Sequence, residues 1–398
     1  MTATGPNTSA NPEPAVVASS MREFLLYFLR LGTFGFGGPI ALAGYMQRDL
    51  VEDRRWISKQ DYVEGLALAQ LAPGPLAAQL AIYLGWVRAG IAGASLVAAA
   101  FILPSFVMVL ALSILYVHFG GLPWMQGLFY GIGAAVIAII LRSVVKLVRM
   151  TLAKDRLLWT IFVVNAITTA WTESEIVSVF VLSGCVALAW HARTDTTKRA
   201  AALSVVPWPW MVTGLKGVAS GSTILKIGLY FAEAGAVVFG SGLAIVPFLH
   251  GGVVDKFQWL SDRQFLDAVA VAMITPGPVV ITVAFIGYLV AGLAGAIAAA
   301  IGVFLPSYLF VILPAPYYRR IAGNASIQAF VNGVTAAATG AIAGAGFVLG
   351  KRAIVDVSTT LILLGTLAVL IKMKKVPEPL VIVVAGLVGL LLTHLFGV

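Results

Sequence analysis

The chain runs to 398 residues, of which 60% are hydrophobic and only 11% charged, with a formal net charge of +9 and a mean hydropathy of +0.97. Soluble domains average about 45–50% apolar and about 25% charged residues, so a soluble globular protein is excluded and an all-α polytopic membrane protein, with lipid as its main surroundings, is expected. Lys and Arg fall in short connections between apolar runs, where they act as topology signals, so no nucleic-acid partner is expected.

Residues 1–20, rich in Ala, Pro, Thr, Ser and Asn, read as a disordered tail without the basic-then-apolar order of a signal peptide. Six apolar stretches follow at about 22–45, 62–88, 90–116, 124–148, 157–172 and 175–191. Residues 193–222 form a linker carrying Arg193, Lys198, Arg199 and Lys216, expected in the cytoplasm. Six more stretches occupy about 223–248, 264–290, 292–314, 327–349, 357–371 and 379–396. The expected units are therefore 21–192 and 223–398.

These units are copies. Trp56-Ile57-Ser58 and Pro73-Gly74-Pro75 return 203 positions later as Trp259-Leu260-Ser261 and Pro276-Gly277-Pro278. Tyr27, Phe28, Gly32 and Phe36 fall on Tyr230, Phe231, Gly235 and Phe239 at the same offset; after one deletion Gly85, Gly90, Gly93, Pro104 and Ser105 fall on Gly287, Gly292, Gly295, Pro306 and Ser307. A repeat of this length suits the duplicated halves of secondary transporters, not a solenoid of about 20–50-residue units.

The first two stretches of each unit are interrupted, one by glycines at 32, 35, 37 and 38 and the next by Pro-Gly-Pro. Arg142, Lys146, Arg149, Lys154 and Arg156 mark a cytoplasmic connection. Placing Arg319, Arg320, Lys372, Lys374 and Lys375 on that side as well requires inverted repeats, each with about five spanning helices and one broken or re-entrant segment; Lys351 and Arg352 are then left outside.

Proline removes a backbone donor and clashes with the preceding turn, so Pro-Gly-Pro breaks its helix at membrane depth, where bare backbone is tolerated only against protein or a water-filled cavity. Helices beginning after Pro75 and Pro278 would offer N–H groups and positive dipole ends to an anion; a plain structural kink is the alternative. The candidate substrate-binding set is Arg30, Gly35, Gly37, Gly38, Pro73, Gly74, Pro75, Gly240, Ser241, Thr275, Pro276, Gly277 and Pro278. Intramembrane charges are costly and mark function. Arg30 maps on Glu233, suggesting an anion-binding guanidinium opposite a proton-carrying carboxylate, unless both snorkel to the interface. Glu64 and Asp267, each nine residues before its Pro-Gly-Pro, are matched acids suited to proton coupling or, alternatively, to complementing a helix dipole. Gln70 and Gln79 add polar groups near the first break.

Cys185, the single cysteine, rules out an internal disulfide, and His118, His191, His250 and His394 show no ligand spacing. Neither a G-x-G-x-x-G nor a Walker motif occurs. No cofactor or metal is expected.

With Phe36-Gly37-Gly38-Pro39, Trp56-Ile57-Ser58 and Ala72-Pro73-Gly74-Pro75 in hand, the chain resembles the long, two-domain form of the chromate ion transporter family over residues of about 22 to 396. The resemblance implies an inner-membrane carrier, not an enzyme, that expels chromate using the membrane potential or proton gradient and so confers resistance, with sulfate as a look-alike anion. The second unit departs from the motif, since Gly38-Pro39 is answered by Ser241-Gly242. An importer or exchanger of sulfate or another tetrahedral oxyanion is the alternative. A membrane oxidoreductase would need a redox group, for which the sequence has no motif. A homodimer is left open.

Overall fold

The computed structural model describes residues 16–36, 38–119, 123–152, 155–172, 177–194, 223–237, 245–317, 325–373 and 376–396. Among them every element is helical: α1 (Met21–Phe34), α2 (Gly38–Met46), α3 (Lys59–Leu71), α4 (Leu76–Phe119), α5 (Pro123–Thr151), α6 (Arg156–Thr172) and α7 (Val177–Thr194), then α8 (Thr223–Val237), α9 (Ile245–His250), α10 (Asp262–Ile274), α11 (Thr282–Ile312), α12 (Ala325–Ala353), α13 (Val357–Lys372) and α14 (Glu378–Phe396). Five are long and apolar enough to cross a membrane: α4, α5, α11, α12 and α14.

The duplication persists down to single backbone angles. Each unit carries a π-helical turn after its second helix, at Gln47–Asp53 and Gly251–Lys256. The only positive-φ residues other than glycine among the described residues are the matched Arg55 and Gln258. α4 and α11 are each two helices joined by a sharp turn, at Ala89-Gly90 and Ala291-Gly292, with nearly equal dihedrals. Gly90 and Gly292 hold φ of 59° and 60°, a left-handed conformation costly for any residue with a Cβ. Across the first turn Gly93 packs on the carbonyl of Gly85, and across the second Gly295 packs on that of Gly287. Those residues would stand about 12 Å apart in a continuous helix, so the chain reverses there.

Short helices then pair as hairpins. α3 runs inward to Pro-Gly-Pro and residues 76–88 run back, which sets Tyr83 against Gly65 and its hydroxyl 3.4 Å from Glu64. At 13 residues, α3 reaches only about 20 Å of the roughly 30 Å hydrocarbon core. α1 and α2 form a second hairpin. Its outer end is closed by Val17 N–H donating to the Arg55 carbonyl and by Phe24 packing on Trp56, and its reversal lies at the glycines. α8 and α9 repeat this, with Tyr230 stacked on Phe248 and donating to its carbonyl. In the first unit both broken stretches therefore turn back, where one re-entrant segment per unit was expected, and in the second the contacts of Tyr230 bring α9 back alongside α8. The physical reason, in the first unit, is that α1 is capped at Gly35 and α2 starts at Gly38 with a φ of 75°, a reversal additional to the one at the proline break.

The residues beyond Gly90 fix the relative direction of the units. Gly93 lies at the outer end of the first Pro-Gly-Pro hairpin, Ser105 touches the tip of the second at Gly277, and Tyr116 reaches the outer end of that second hairpin at Asp267 and Phe285. The hairpins thus approach from opposite ends of α4 and meet tip to tip, and the units are inverted. Ser95, early in its helix, bonds Tyr308, late in its own, at 2.7 Å, as antiparallel α4 and α11 require.

Around this centre the units exchange partners. α12 packs on α6 and α7, and α5 packs on α13 and α14. Lipid offers little hydrophobic drive between helices, so close backbone approach at small residues carries the packing. Gly131 meets the Ala385 carbonyl, Gly340 that of Phe162, Gly32 that of Phe101 and Gly235 that of Val303.

Candidate functional site

The tips of the hairpins converge on a buried point halfway along α4 and α11. Gly74 has φ of 139°, and a Cβ there would lie 2.5 Å from Gln79 Nε2 and 2.7 Å from Ser307 Oγ. Gly277, at φ of 96°, stands equally tightly against Ser105 Oγ. Ser105 and Ser307 are repeat mates, so each tip packs against the serine of the opposite unit. The Gly277 N–H donates to the Gly35 carbonyl at 3.0 Å, joining the second Pro-Gly-Pro to the unwound glycine segment of the first unit. Ser105 Oγ donates to the Gly32 carbonyl at 3.3 Å.

Local chemistry explains the breaks. Pro73 and Pro75 end α3, and the Gln79 side chain replaces a missing backbone donor by giving a 2.6 Å bond to the Pro73 carbonyl. Gln79 is fully buried, and its Oε1 has no partner. Pro75 accepts from Gln79 N–H and Pro278 from Ile281 N–H, so new helical turns start at both tips, and their first amides have no partner within those turns. Thr275 is buried, but its hydroxyl bonds back to Val271 and Ala272 of its own helix. Gly38 opens α2 at φ of 75°. Pro276 is buried at its tip. Gly37, Gly240 and Ser241 lie outside the described residues, as do Arg319, Arg320, Lys374 and Lys375.

The charged candidates divide. Arg30 is exposed on the α1 face it shares with Leu26 and Phe34, and Glu233 is exposed on α8. No ion pair joins them. α1 packs on α4 and α8 on α11, and both side chains occupy outer faces in this structure. Gln70 is exposed too. The matched acids stay within the bundle. Asp267 is buried and accepts a 2.8 Å bond from Tyr116 of the opposite unit; Glu64 is half-buried and takes its bonds from Gln60 and Tyr83 of its own.

Sequence reasoning missed several of these groups. Ser105 and Ser307 served only as alignment markers, although a serine after a mid-helix proline in both copies was a usable signal. Tyr116 gave none, because its partner lies 151 residues away. His250, set aside for want of ligand spacing, belongs to a cluster with Asp255, Asp262 and Arg352. Its Nδ1 is 3.2 Å from Asp255 and its Nε2 is 2.8 Å from both Asp262 and Arg352, while Arg352 also pairs directly with Asp262. This pairing explains how Arg352 is accommodated at the far end.

The family model described as chromate transporter matches residues 22–190 and again 225–390. The chain belongs to the chromate transporter family. It is 56% identical over 385 residues to the chromate transport protein of Cupriavidus metallidurans, covering 96% of each chain. It is 54% identical to a probable chromate transport protein of Synechococcus elongatus over 94% of this chain and 96% of the relative. The chromate transport protein of Pseudomonas aeruginosa is 33% identical over 85% and 82%. No solved structure matches the chain. Family and helices together make this a multi-pass membrane protein of the transporter class.

Proposed function

We propose that the protein is an inner-membrane carrier that exports chromate through the point where the opposed Pro-Gly-Pro tips meet, and that this export confers chromate resistance. The observation that carries the reading is the reciprocal contact of each tip with the other unit's serine, which builds one central site from two inverted halves. Backbone amides at the starts of the helical turns after Pro75 and Pro278 are the donors for a tetrahedral oxyanion, joined by the hydroxyls of Ser105 and Ser307 when these turn from the Gly32 and Val303 carbonyls they bond in this structure. Neither needs a fixed positive charge, which suits a site that must also release its anion.

The end of the bundle holding the outer ends of the first unit's hairpins carries Arg22, Arg48, Arg54, Arg55, Lys59 and Arg88, with Lys146, Arg149 and Arg156 nearby in the chain order of α5 and α6. This is the cytoplasmic end by the positive-inside rule. Moving a dianion outward, down an inside-negative potential, releases about 4.6 kcal/mol per 100 mV, at about 2.3 per charge. Potential alone can therefore drive export, and Glu64 and Asp267 are the groups through which a proton gradient would add to it.

Radiolabelled chromate flux in proteoliposomes with imposed voltage and pH gradients tests the reading. Chromate moving toward the positive compartment, with excess unlabelled sulfate competing weakly, is expected. Flux of sulfate but not chromate would replace chromate export with the sulfate carrier alternative, and no flux of either would overturn the reading.

A further inference from the structure

A cavity of about 250 Å³ opens at the end of the bundle opposite the cytoplasmic one, between the start of α10, the end of α4 and the start of α5. Its volume is well above the roughly 10–15 Å³ that admits one water. Arg263 and Gln264 are exposed at its mouth, Asp267 is buried within it, and Tyr116 and Gln126 line the facing wall. It lies about nine residues of helix from the Pro-Gly-Pro tip, about 13 Å away, and is a place distinct from the centre.

The polar groups here have capacity to spare. Arg263 makes one long bond, 3.5 Å, to the Gln126 carbonyl, which leaves most of its five donors open. Ser261 and Gln264 cap α10 reciprocally, using the Gln264 side-chain oxygen but not its amide N–H₂. Arg263 and Asp267 stand four residues apart on one face of α10, so the carboxylate offsets part of the guanidinium charge. Tyr116 from α4 holds that carboxylate at 2.8 Å.

We propose that this cavity is a second, outer oxyanion site, where the planar fork of Arg263 takes a tetrahedral oxyanion leaving the centre and Asp267 weakens its hold enough for release. The site rests on the oxyanion-carrier reading and adds a residue, Arg263, whose repeat counterpart is the uncharged Gln60. The two ends of the pathway are thus chemically unlike. A guanidinium with free donors favours an oxyanion over a halide because it can bond two oxygens at once, and removing the carboxylate should tighten what removing the guanidinium loosens.

The test is equilibrium binding of labelled chromate to the purified full chain in nanodiscs, with sulfate and chloride as competitors. Two sites are expected in the wild type. Arg263→Gln should weaken one of them at least tenfold and leave the other. Asp267→Asn should tighten that same site several-fold, a gain that misfolding cannot imitate. One site only in the wild type, or two unchanged by both variants, would overturn the outer site while leaving the central one standing. No chromate binding at all, in protein that also fails the flux assay, would remove the carrier reading and this site with it.

Discussion

The two Pro-Gly-Pro hairpins share a sequence pattern, the second being one residue shorter, yet they sit differently in the bundle. α3 buries a single face, at Tyr62, Gly65, Leu68 and Ala69, whereas α10 buries Phe265 and every residue from Asp267 to Met273. α10 packs on α5 and α14, and α3 packs mainly on the returning helix of its own hairpin. The second hairpin is also pinned at its outer end, where Asp262 is tied to Arg352 of α12 and His250 of α9. The equivalent positions in the first unit are Lys59, Met150 and Gln47, which cannot make that cluster. Two halves built on one plan thus hold one hairpin docked and one loosely held, the inequivalence that a carrier opening to one side at a time requires.

The tips test what the halves still share. Gly277→Leu and Gly74→Leu should each reduce chromate flux by more than about a hundredfold at normal membrane expression. Both positions combine a left-handed φ with no room for a Cβ, costs of about 1–2 and about 1–3 kcal/mol that distort the centre directly. Flux measured beside surface expression checks this, and a variant with normal flux would reduce its Pro-Gly-Pro to a kink. Next come the serines. Ser105→Ala and Ser307→Ala each remove one hydroxyl worth about 0.5–1.5 kcal/mol, hence roughly a three- to tenfold loss of apparent affinity. Equal losses would show that the centre is used symmetrically; a loss confined to one serine would assign the substrate to one tip.

The pinned end should respond more modestly. Partial burial raises the Asp262 carboxyl, but hydrogen bonds from His250 and Arg352 together outweigh it and hold it below its ordinary value of 3.8. Its contribution is therefore complete at neutral pH and is lost as pH falls below that value. Asp262 and Arg352 are partly exposed, so the pair is worth about 0.2–1 kcal/mol. Arg352→Ala should speed labelling of a cysteine placed at the buried Ala268 by about two- to fivefold from outside. An unchanged rate would mean that packing on α5 and α14 alone docks the hairpin.

Much of this was legible in the sequence, because a duplication displays its own constraints. Matched breaks, matched acids and inverted charge all followed from residues 203 positions apart. The contacts that give the acids different surroundings were not legible. Asp267 meets Tyr116 and Gly74 meets Ser307 across units, and no local pattern encodes which distant helix a side chain will face. The second re-entrant turn was hidden for a related reason: α1 through Met46 is apolar over a length that could span, and only its closure from Val17 to Arg55 reveals that it returns. Arg30 was left between two readings because apolar neighbours on both sides of a helix look alike whether they face protein or lipid.

That ambiguity leads to the smallest expected effect. Arg30 shares its α1 face with exposed Leu26 and Phe34, and a long cationic side chain on such a face carries its charge toward the interface along its own aliphatic stem. Glu233 has the same outward setting on α8, with no partner from the opposite unit to lose. Arg30→Ala and Glu233→Ala should therefore each leave flux within about twofold of the wild type, since exposed substitutions of this kind stay within about 0.5 kcal/mol. The double variant should show no coupling beyond the sum of the singles. A tenfold loss in Arg30→Ala, relieved by Glu233→Ala, would instead bring α1 and α8 together in another conformation of the cycle and restore the pair to the transport site.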